Sequence, residues 1–497
     1  MTTMDKLTLY DRLGLPRDAT QEEIRRAYRQ LVLRLHPDKN VNKGDTELFI
    51  DIHQAFERLS DPNIKAEYDH QLPAEPILDS PLSIKSTYSQ PLITRLSEPQ
   101  LFYAFLELSI HPDTNLRLAS TPLNISLVVD CSTSMLGIRL DTVKLTAIDL
   151  LRQLQPNDIF SLVKFNDFGE LLIAPGRMND LKSTEMKIQL LQAGGGTEIY
   201  KGLEVGFSQV CQHRSSQLIN HIILITDGRT YGDEVNCDLL ADQSSALGIG
   251  ISALGIGNEW NDKFLDHITS KTGGICKYIS KSGDIRSSIL DEISRLGSIL
   301  TEQINFNFQI DRDVGLSSVY RLQPDASPLD PVSPLTLGFM PRHGTMSVLF
   351  EFVIKDIPMD LTQLIMAKGF LNFEIPRHTI KTKYVNRLLF ERQVTSEPVK
   401  SLPPTGIFNA ITLFSLYHMQ ERAREEMGKG DLNSATRHME YLATHLLQKG
   451  EQDLAQSVLN EVTHMRSNQS FSEEGEKRIK YGTRSLLLPA RTEQNKL

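Results

Sequence analysis

The period of the hydrophobic pattern changes twice along this chain, and that change limits the folds open to it. Between about residues 122 and 300, apolar residues come in unbroken runs: Leu123–Val129, Ile159–Phe165, His221–Ile225 and Ile249–Ile256. Amphipathic stretches such as Asp141–Leu154 and Leu240–Leu247 separate them. A strand apolar on both faces must be covered on both faces, so runs alternating with helices predict a mostly parallel sheet between two helical layers. From about residue 301 to 394 strict alternation takes over. Ile304, Phe306, Phe308 and Ile310 are interleaved with Gln303, Asn305, Asn307 and Gln309, and Met346, Val348, Phe350 and Phe352 repeat the pattern. Period-two alternation predicts antiparallel strands with one buried face. Leu101–Ile110 is also β-prone and belongs with this layer. The expected arrangement is therefore an α/β unit over 122–300 inserted into a β-sandwich-like domain made of 101–121 and 301–396.

The rest of the chain reads as helix. Over 5–72, Thr20 and Glu23 form a capping box that starts a helix. Ile24, Ala27, Tyr28 and Leu31 share its apolar face, while Arg25, Arg26 and Arg29 fall on the other side. Pro37 ends the helix, Leu48, Ile52, Ala55, Phe56 and Leu59 mark a second one, and Asp61-Pro62 opens a third. Pro and Ser over 73–100 suggest a linker. After Pro404, residues 404–466 read as a helical hairpin tail. In it Gly430-Asp431 and Gly450-Glu451 recur, each followed at equal distance by Ala435 and Ala455. Residues 467–497, with Lys480-Tyr481-Gly482-Thr483-Arg484, are expected to be basic and loosely ordered.

Composition excludes several function classes. A length of 497 residues suits about three domains. Hydrophobic residues at 40% against 23% charged describe a globular chain, and a net charge of -9 argues against a nucleic-acid binder. No run is long and apolar enough for a membrane span, and the first residues lack the pattern of a secretory signal. Cys131, Cys211, Cys237 and Cys276 form no C-x-x-C pair, which excludes a zinc ribbon and a disulfide scaffold and fits reduced thiols in the cytoplasm. No Walker loop, complete dinucleotide fingerprint or G-x-S-x-G elbow is present.

One constellation lies in the α/β unit. Asp130-x-Ser132-x-Ser134 follows the first apolar run, at the carboxyl end of a strand, where open α/β sheets place ligands. Asp227 follows another run, and Thr197 follows Gly194-Gly195-Gly196. Two carboxylates and three hydroxyls are hard oxygen donors that suit Mg²⁺ or Mn²⁺ and not zinc. In order and spacing, Asp130, Ser132, Ser134, Thr197 and Asp227 resemble the metal-ion-dependent adhesion site of von Willebrand factor A domains, which implies a doubly wound, Rossmann-like A domain over 122–300. The resemblance implies a metal that accepts a carboxylate from a protein ligand. Cys131, inside the loop, is expected to be a packing residue.

The second constellation is at the start of the chain. Tyr28-Arg29-Gln30-Leu31, His36-Pro37-Asp38-Lys39-Asn40, Leu59-Ser60-Asp61-Pro62 and Tyr68-Asp69 resemble the J domain of DnaJ-like co-chaperones, as do Tyr10 and Leu13-Gly14-Leu15. The resemblance implies that His36, Pro37 and Asp38 trigger ATP hydrolysis by a DnaK-type chaperone, and that Arg25, Arg26 and Arg29 form the face that docks on it. A positive face meeting an acidic groove raises the encounter rate. The Gly/Phe-rich segment and the cysteine repeats of full DnaJ proteins are missing here, so other domains would set the cargo. The expected function is a non-enzymatic co-chaperone, cytoplasmic, whose metal-dependent A domain binds a protein ligand or client. One alternative is an A-domain scaffold with an inactive or accessory J domain. Another is a metal-dependent hydrolase, for which Glu198 and Asp167 are the available bases.

Overall fold

A computed structural model describes residues 9–13, 15, 19–35, 43–71, 80–111, 121–176, 181–230, 232–355, 357–375, 383–397 and 401–486. The chain opens with four helices, α1 (Leu9–Leu13), α2 (Gln21–Leu35), α3 (Lys43–Ser60) and α4 (Pro62–Gln71). The capping box is reciprocal: Thr20 N donates to Glu23 Oε2 at 2.8 Å, and Glu23 N donates to Thr20 Oγ1 at 3.3 Å. Asp61 Oδ1 accepts from the backbone of Asn63 at 2.8 Å and caps α4. Tyr10, Leu13, Ile24, Ile52, Ala55 and Leu59 form the small core. Tyr10 OH donates to Asp69 Oδ1 at 2.6 Å and Leu9 N donates to Tyr68 OH at 2.8 Å, which ties the first helix to the last.

Three strands follow, β1 (Leu82–Tyr88), β2 (Ile93–Thr94) and β3 (Gln100–Ile110). The α/β unit then runs β4 (Leu123–Asp130), α5 (Ile138–Gln153), β5 (Ile159–Phe165), β6 (Gly169–Gly176), α6 (Leu181–Gln189), α7 (Ile199–Gln212), β7 (Ile219–Thr226), α8 (Glu234–Ala246), β8 (Gly250–Ile256), α9 (Asp262–Thr272), β9 (Cys276–Ile279) and α10 (Ile285–Gly297). Its sheet has the order β6-β5-β4-β7-β8-β9. All pairs are parallel except β5 with the edge strand β6. Every residue of β4, β7 and β8 is buried. Separate apolar clusters cover the two faces, as the unbroken runs require.

The chain returns through Ser298 to β10 (Ile299–Ile310), β11 (Val314–Gln323), β12 (Ser327–Leu329), β13 (Leu335–Pro341), β14 (Thr345–Ile354), β15 (Gln363–Glu374) and β16 (Lys383–Thr395). Two five-stranded sheets, β1-β3-β14-β11-β12 and β13-β10-β15-β16-β2, enclose one core. Phe306, Phe308, Phe350 and Phe352 meet there, on the alternating positions. Because β3 lies beside β14, the α/β unit is an insertion between two strands of this sandwich.

Three sequence expectations are corrected. The presumed linker 73–100 contains β1 and β2, and residues 72–79 lie outside the described residues. Leu82 to Tyr88 is an edge strand buried mainly at its two ends, so it shows little alternation. The tail is a four-helix unit rather than a hairpin, made of α11 (Thr405–Gly428), α12 (Leu432–Gln448), α13 (Gln452–Asn468) and α14 (Glu473–Leu486). The repeat is visible in it: Gly430 and Gly450 adopt φ of 83° and 84° after α11 and α12, and Ala435 and Ala455 are both fully buried. The basic string expected to be loose lies inside α14, where Lys480 and Arg484 are buried against α9.

Candidate functional site

β4 is a central strand between β5 and β7, so Asp130 and Asp227 leave adjacent strands at the same edge of the sheet. Both carboxylates are fully buried. Asp130 Oδ1 accepts from the backbone of Ser132 at 2.8 Å, which folds the loop back on itself, and Oδ2 accepts from Thr226 Oγ1 at 2.6 Å. A short 3₁₀ turn over Thr133–Met135 then places Ser132 Oγ 3.0 Å from Ser134 Oγ. Ser134 Oγ donates to Asp227 Oδ1 at 2.6 Å. The loop before α7 locks onto this turn. Thr133 Oγ1 donates to Gly195 O at 3.0 Å, and Gly194 N donates to Cys131 O at 2.8 Å. A Cβ at Gly228 would stand 2.9 Å from Thr197 Oγ1, so glycine there lets the Thr197 hydroxyl reach the loop that carries Asp227. The five residues singled out from the sequence thus converge on one rim.

Two buried carboxylates this close call for a cation. Burial raises the Asp130 carboxyl to about 6; hydrogen bonds from Ser132 and Thr226 pull it down, and the charge of Asp227 adds to the rise. Asp227 forms an ion pair with Arg139, whose guanidinium reaches over from the first turn of α5. Arg139 is the residue the sequence reading missed. Its only signal was a cation near the start of the helix after the aspartate loop. The donor set of carboxylates and hydroxyls, already crossed by a side-chain cation, fits a hard divalent ion. Among the described residues, no group of three or more His, Cys, Asp or Glu offers a rival metal site.

The neighbours of the site play other parts. Cys131 packs in the apolar layer below, where burial pushes its thiol up to about 12, so it is no nucleophile at neutral pH. Asp167 accepts from Gly196 N at 3.0 Å and shapes the glycine loop; Glu198 begins α7, and its backbone N donates to Asn166 O at 2.9 Å. No disulfide joins the four cysteines.

In the N-terminal bundle, Arg25 and Arg29 are exposed on α2, with Arg29 Nε donating to Arg25 O at 3.4 Å. Arg26 departs from that face: it is half-buried and donates to the carbonyl of Phe308 in β10. His36, Pro37 and Asp38 lie outside the described residues.

The comparisons with known proteins follow this division. Residues 8–69 match the DnaJ domain family, 124–292 the von Willebrand factor type A domain, and 405–489 the Sll0103-like C-terminal α-helical domain. An uncharacterised protein of Synechocystis, sll0103, is 24% identical over 74% of this chain and 89% of its own length. The chaperone protein DnaJ of Dictyoglomus thermophilum is 50% identical over 64 residues, 13% of this chain and 16% of that one. This chain therefore spans only a small part of its DnaJ relatives. Among solved structures, a von Willebrand factor type A protein from Catenulispora acidiphila superposes with a TM-score of 0.62, covering 81% of this chain and 96% of that one at 13% identity. The ArnB paralog VWA2 from Sulfolobus acidocaldarius gives 0.53, covering 83% and 100% at 14% identity. At such identities these two likenesses concern the fold. Bundle, inserted sheet and matched segments agree: the chain carries a DnaJ-type domain at its start and a von Willebrand factor type A domain in its middle.

Proposed function

We propose that this protein is a co-chaperone that recruits a DnaK-type ATPase through its J domain and binds a protein ligand through a divalent ion, Mg²⁺ or Mn²⁺, held at the A domain. The observation that carries the proposal is the presence on one chain of a J domain and a pair of buried aspartates ringed by hydroxyls. Asp130, Ser132, Ser134, Thr197 and Asp227 are the residues assigned to the ion, directly or through water. When bound, the ion supplies a coordination position for a carboxylate of the partner. The chain's own groups do the rest. Asp130 braces the loop through the Ser132 amide, and Ser134 orients Asp227. On the J domain, His36, Pro37 and Asp38 are assigned as the trigger, and Arg25, Arg26 and Arg29 as the docking face.

No reaction is assigned to the chain. Of the two bases a hydrolase would need, Asp167 accepts from Gly196 N with its carboxylate and shapes the glycine loop, while Glu198 meets Asn166 through its backbone N. The reading places the protein in the cytoplasm, with its chaperone partner and its thiols reduced. Among the described residues no helix is long and apolar enough to cross a membrane. Two measurements test the halves separately. Wild type should stimulate ATP turnover by a DnaK-type chaperone and His36→Gln should not; equal stimulation sinks the first half. Calorimetric titration should show one Mg²⁺ site in wild type and none in Asp130→Ala; no heat with wild type removes the metal. The match of the tail to the Sll0103-like domain favours a second reading, an A-domain scaffold with an accessory J domain. Ligand capture that survives while no chaperone is stimulated would select it.

A further inference from the structure

The J bundle does not stand clear of the rest of the molecule. Phe370 of β15 points away from the sandwich core, which takes its neighbour Leu371. An aromatic ring on the outer face of a sheet would normally be wet, yet Phe370 is only 6% exposed because it packs in the same apolar cluster as Ile24 and Ala27 of α2. Polar contacts surround this anchor. Arg26 donates to Phe308 O on β10. Glu23 Oε1 lies 3.8 Å from Arg387 Nη1 on β16, and the Arg387 guanidinium is 5.2 Å from the centre of the Phe370 ring. The seat is loose. A cavity of about 310 Å³, lined by Glu22, Lys368 and Gln309 among others, remains between helix and sheet. One aromatic anchor beside the half-buried Val385 and Ala246, one half-exposed ion pair, the Arg26 bond and an unfilled gap describe a small, reversible contact.

We infer that the outer face of the β10–β15–β16 layer is a docking surface for this chain's own J domain, and that the chaperone ATPase must displace it to use the whole arginine face of α2. The inference rests on the chaperone reading above. The geometry divides the face: Arg25 and Arg29 are open to a partner, while Arg26 is engaged by Phe308. An incoming acidic partner can therefore make first contact through two arginines and gains the third only by lifting α2 off the sheet. Docking lowers the apparent affinity by the fraction of molecules in the free state.

The test uses the full chain. Zero-length carbodiimide coupling of the wild-type monomer should join Glu22 or Glu23 to Lys368, read by mass spectrometry. Arg387→Glu reverses the charge facing Glu23 without touching the capping contact with Thr20, and Phe370→Ser removes the anchor. In both variants the cross-link should weaken, and ATPase stimulation at sub-saturating co-chaperone should rise about threefold or more, while the maximal rate stays that of wild type. Absence of the cross-link in wild type overturns the docking. A lost cross-link with unchanged stimulation in both variants overturns the competition. If neither wild type nor variants stimulate the ATPase, the chaperone reading fails and the competition with it, and the cross-link still decides whether the surface holds the bundle.

Discussion

At the residue scale the A-domain site is a problem of buried charge. Asp227 is fully buried and Arg139 is its ion-pair partner, with about a third of that arginine still exposed. Removing one member of such a pair leaves an uncompensated charge, at a cost of about 1–3 kcal/mol for a partly wet pair. A divalent ion and the guanidinium would compete for the same carboxylate. Arg139→Gln should therefore melt earlier than wild type in chelator and be stabilised more by Mg²⁺, with several-fold tighter binding of the ion. Thermal melts with and without Mg²⁺, together with titration calorimetry, check this. Weaker binding by the variant would mean that Arg139 holds Asp227 in place for the metal instead of substituting for it. The convergence of the aspartates and hydroxyls was legible in the sequence because Asp130 and Asp227 each directly follow an unbroken apolar run, which puts both at the carboxyl ends of neighbouring strands. Arg139 was not, since nothing local says which of several surface arginines turns inward.

At the scale of elements, legibility follows where the partner of each side chain lies. The runs in β4, β5, β7 and β8 were readable because a strand buried on both faces shows it in its own composition. α14 was misread because its meaning lies in another domain. Lys480 pairs with Asp262 and, at 2.7 Å, with Asp266; Arg484 grips Asp266 with two bonds of 2.7 and 2.6 Å; Arg424 of α11 reaches Asp262 at 3.2 Å. Tyr481 packs against Trp260 with ring centres 5.9 Å apart. A basic tail read alone looks loose, whereas here its charges neutralise two aspartates of α9. Those cations hold both carboxyls well below the usual range, overcoming the opposing effect of burial. Folded-state values below the unfolded one mean that the carboxylates stabilise the fold above about pH 4, and that this contribution fades as pH falls further. Asp266→Asn should cost about 3–5 kcal/mol near pH 7, where it strands Arg484 and leaves Lys480 with Asp262 alone. The gap in melting temperature between variant and wild type should narrow progressively below pH 4, as the unfolded wild-type chain takes up protons on these carboxyls. A gap that stays constant down to pH 2 would contradict the assignment.

At the scale of the molecule, the A domain is held by the end opposite its site. Glu302, just inside β10, accepts from Asn220 N at 2.9 Å and Gly250 N at 3.2 Å, the starts of β7 and β8, and lies 2.9 Å from His221 Nδ1. His221 Nε2 in turn is 2.9 Å from Ser252 Oγ. Ser, His and Glu in a row resemble a catalytic relay, but Ser252 is fully buried and also accepts from Ile275 N, so the row acts as a clasp between the inserted sheet and the sandwich. Asp227 leaves the far end of β7, about 23 Å along the strand from Asn220 at the usual rise per residue. The J bundle also lies at the Glu302 end, with Ala246 of α8 in its apolar cluster, so on the proposed reading a ligand at the rim and a chaperone at the J domain would be held together without meeting. If Glu302 couples the two bodies, Glu302→Ala strands two backbone donors and His221 at once. The expected loss is about 2–4 kcal/mol. More telling than its size is the shape of the unfolding. Calorimetry of wild type should show the A domain and the sandwich melting in one transition, and Glu302→Ala should split it, with the A-domain step moving down and recovering on addition of Mg²⁺. A single transition merely shifted to lower temperature would show that the two chain crossings, and not the Glu302 clasp, keep the insertion and its host cooperative.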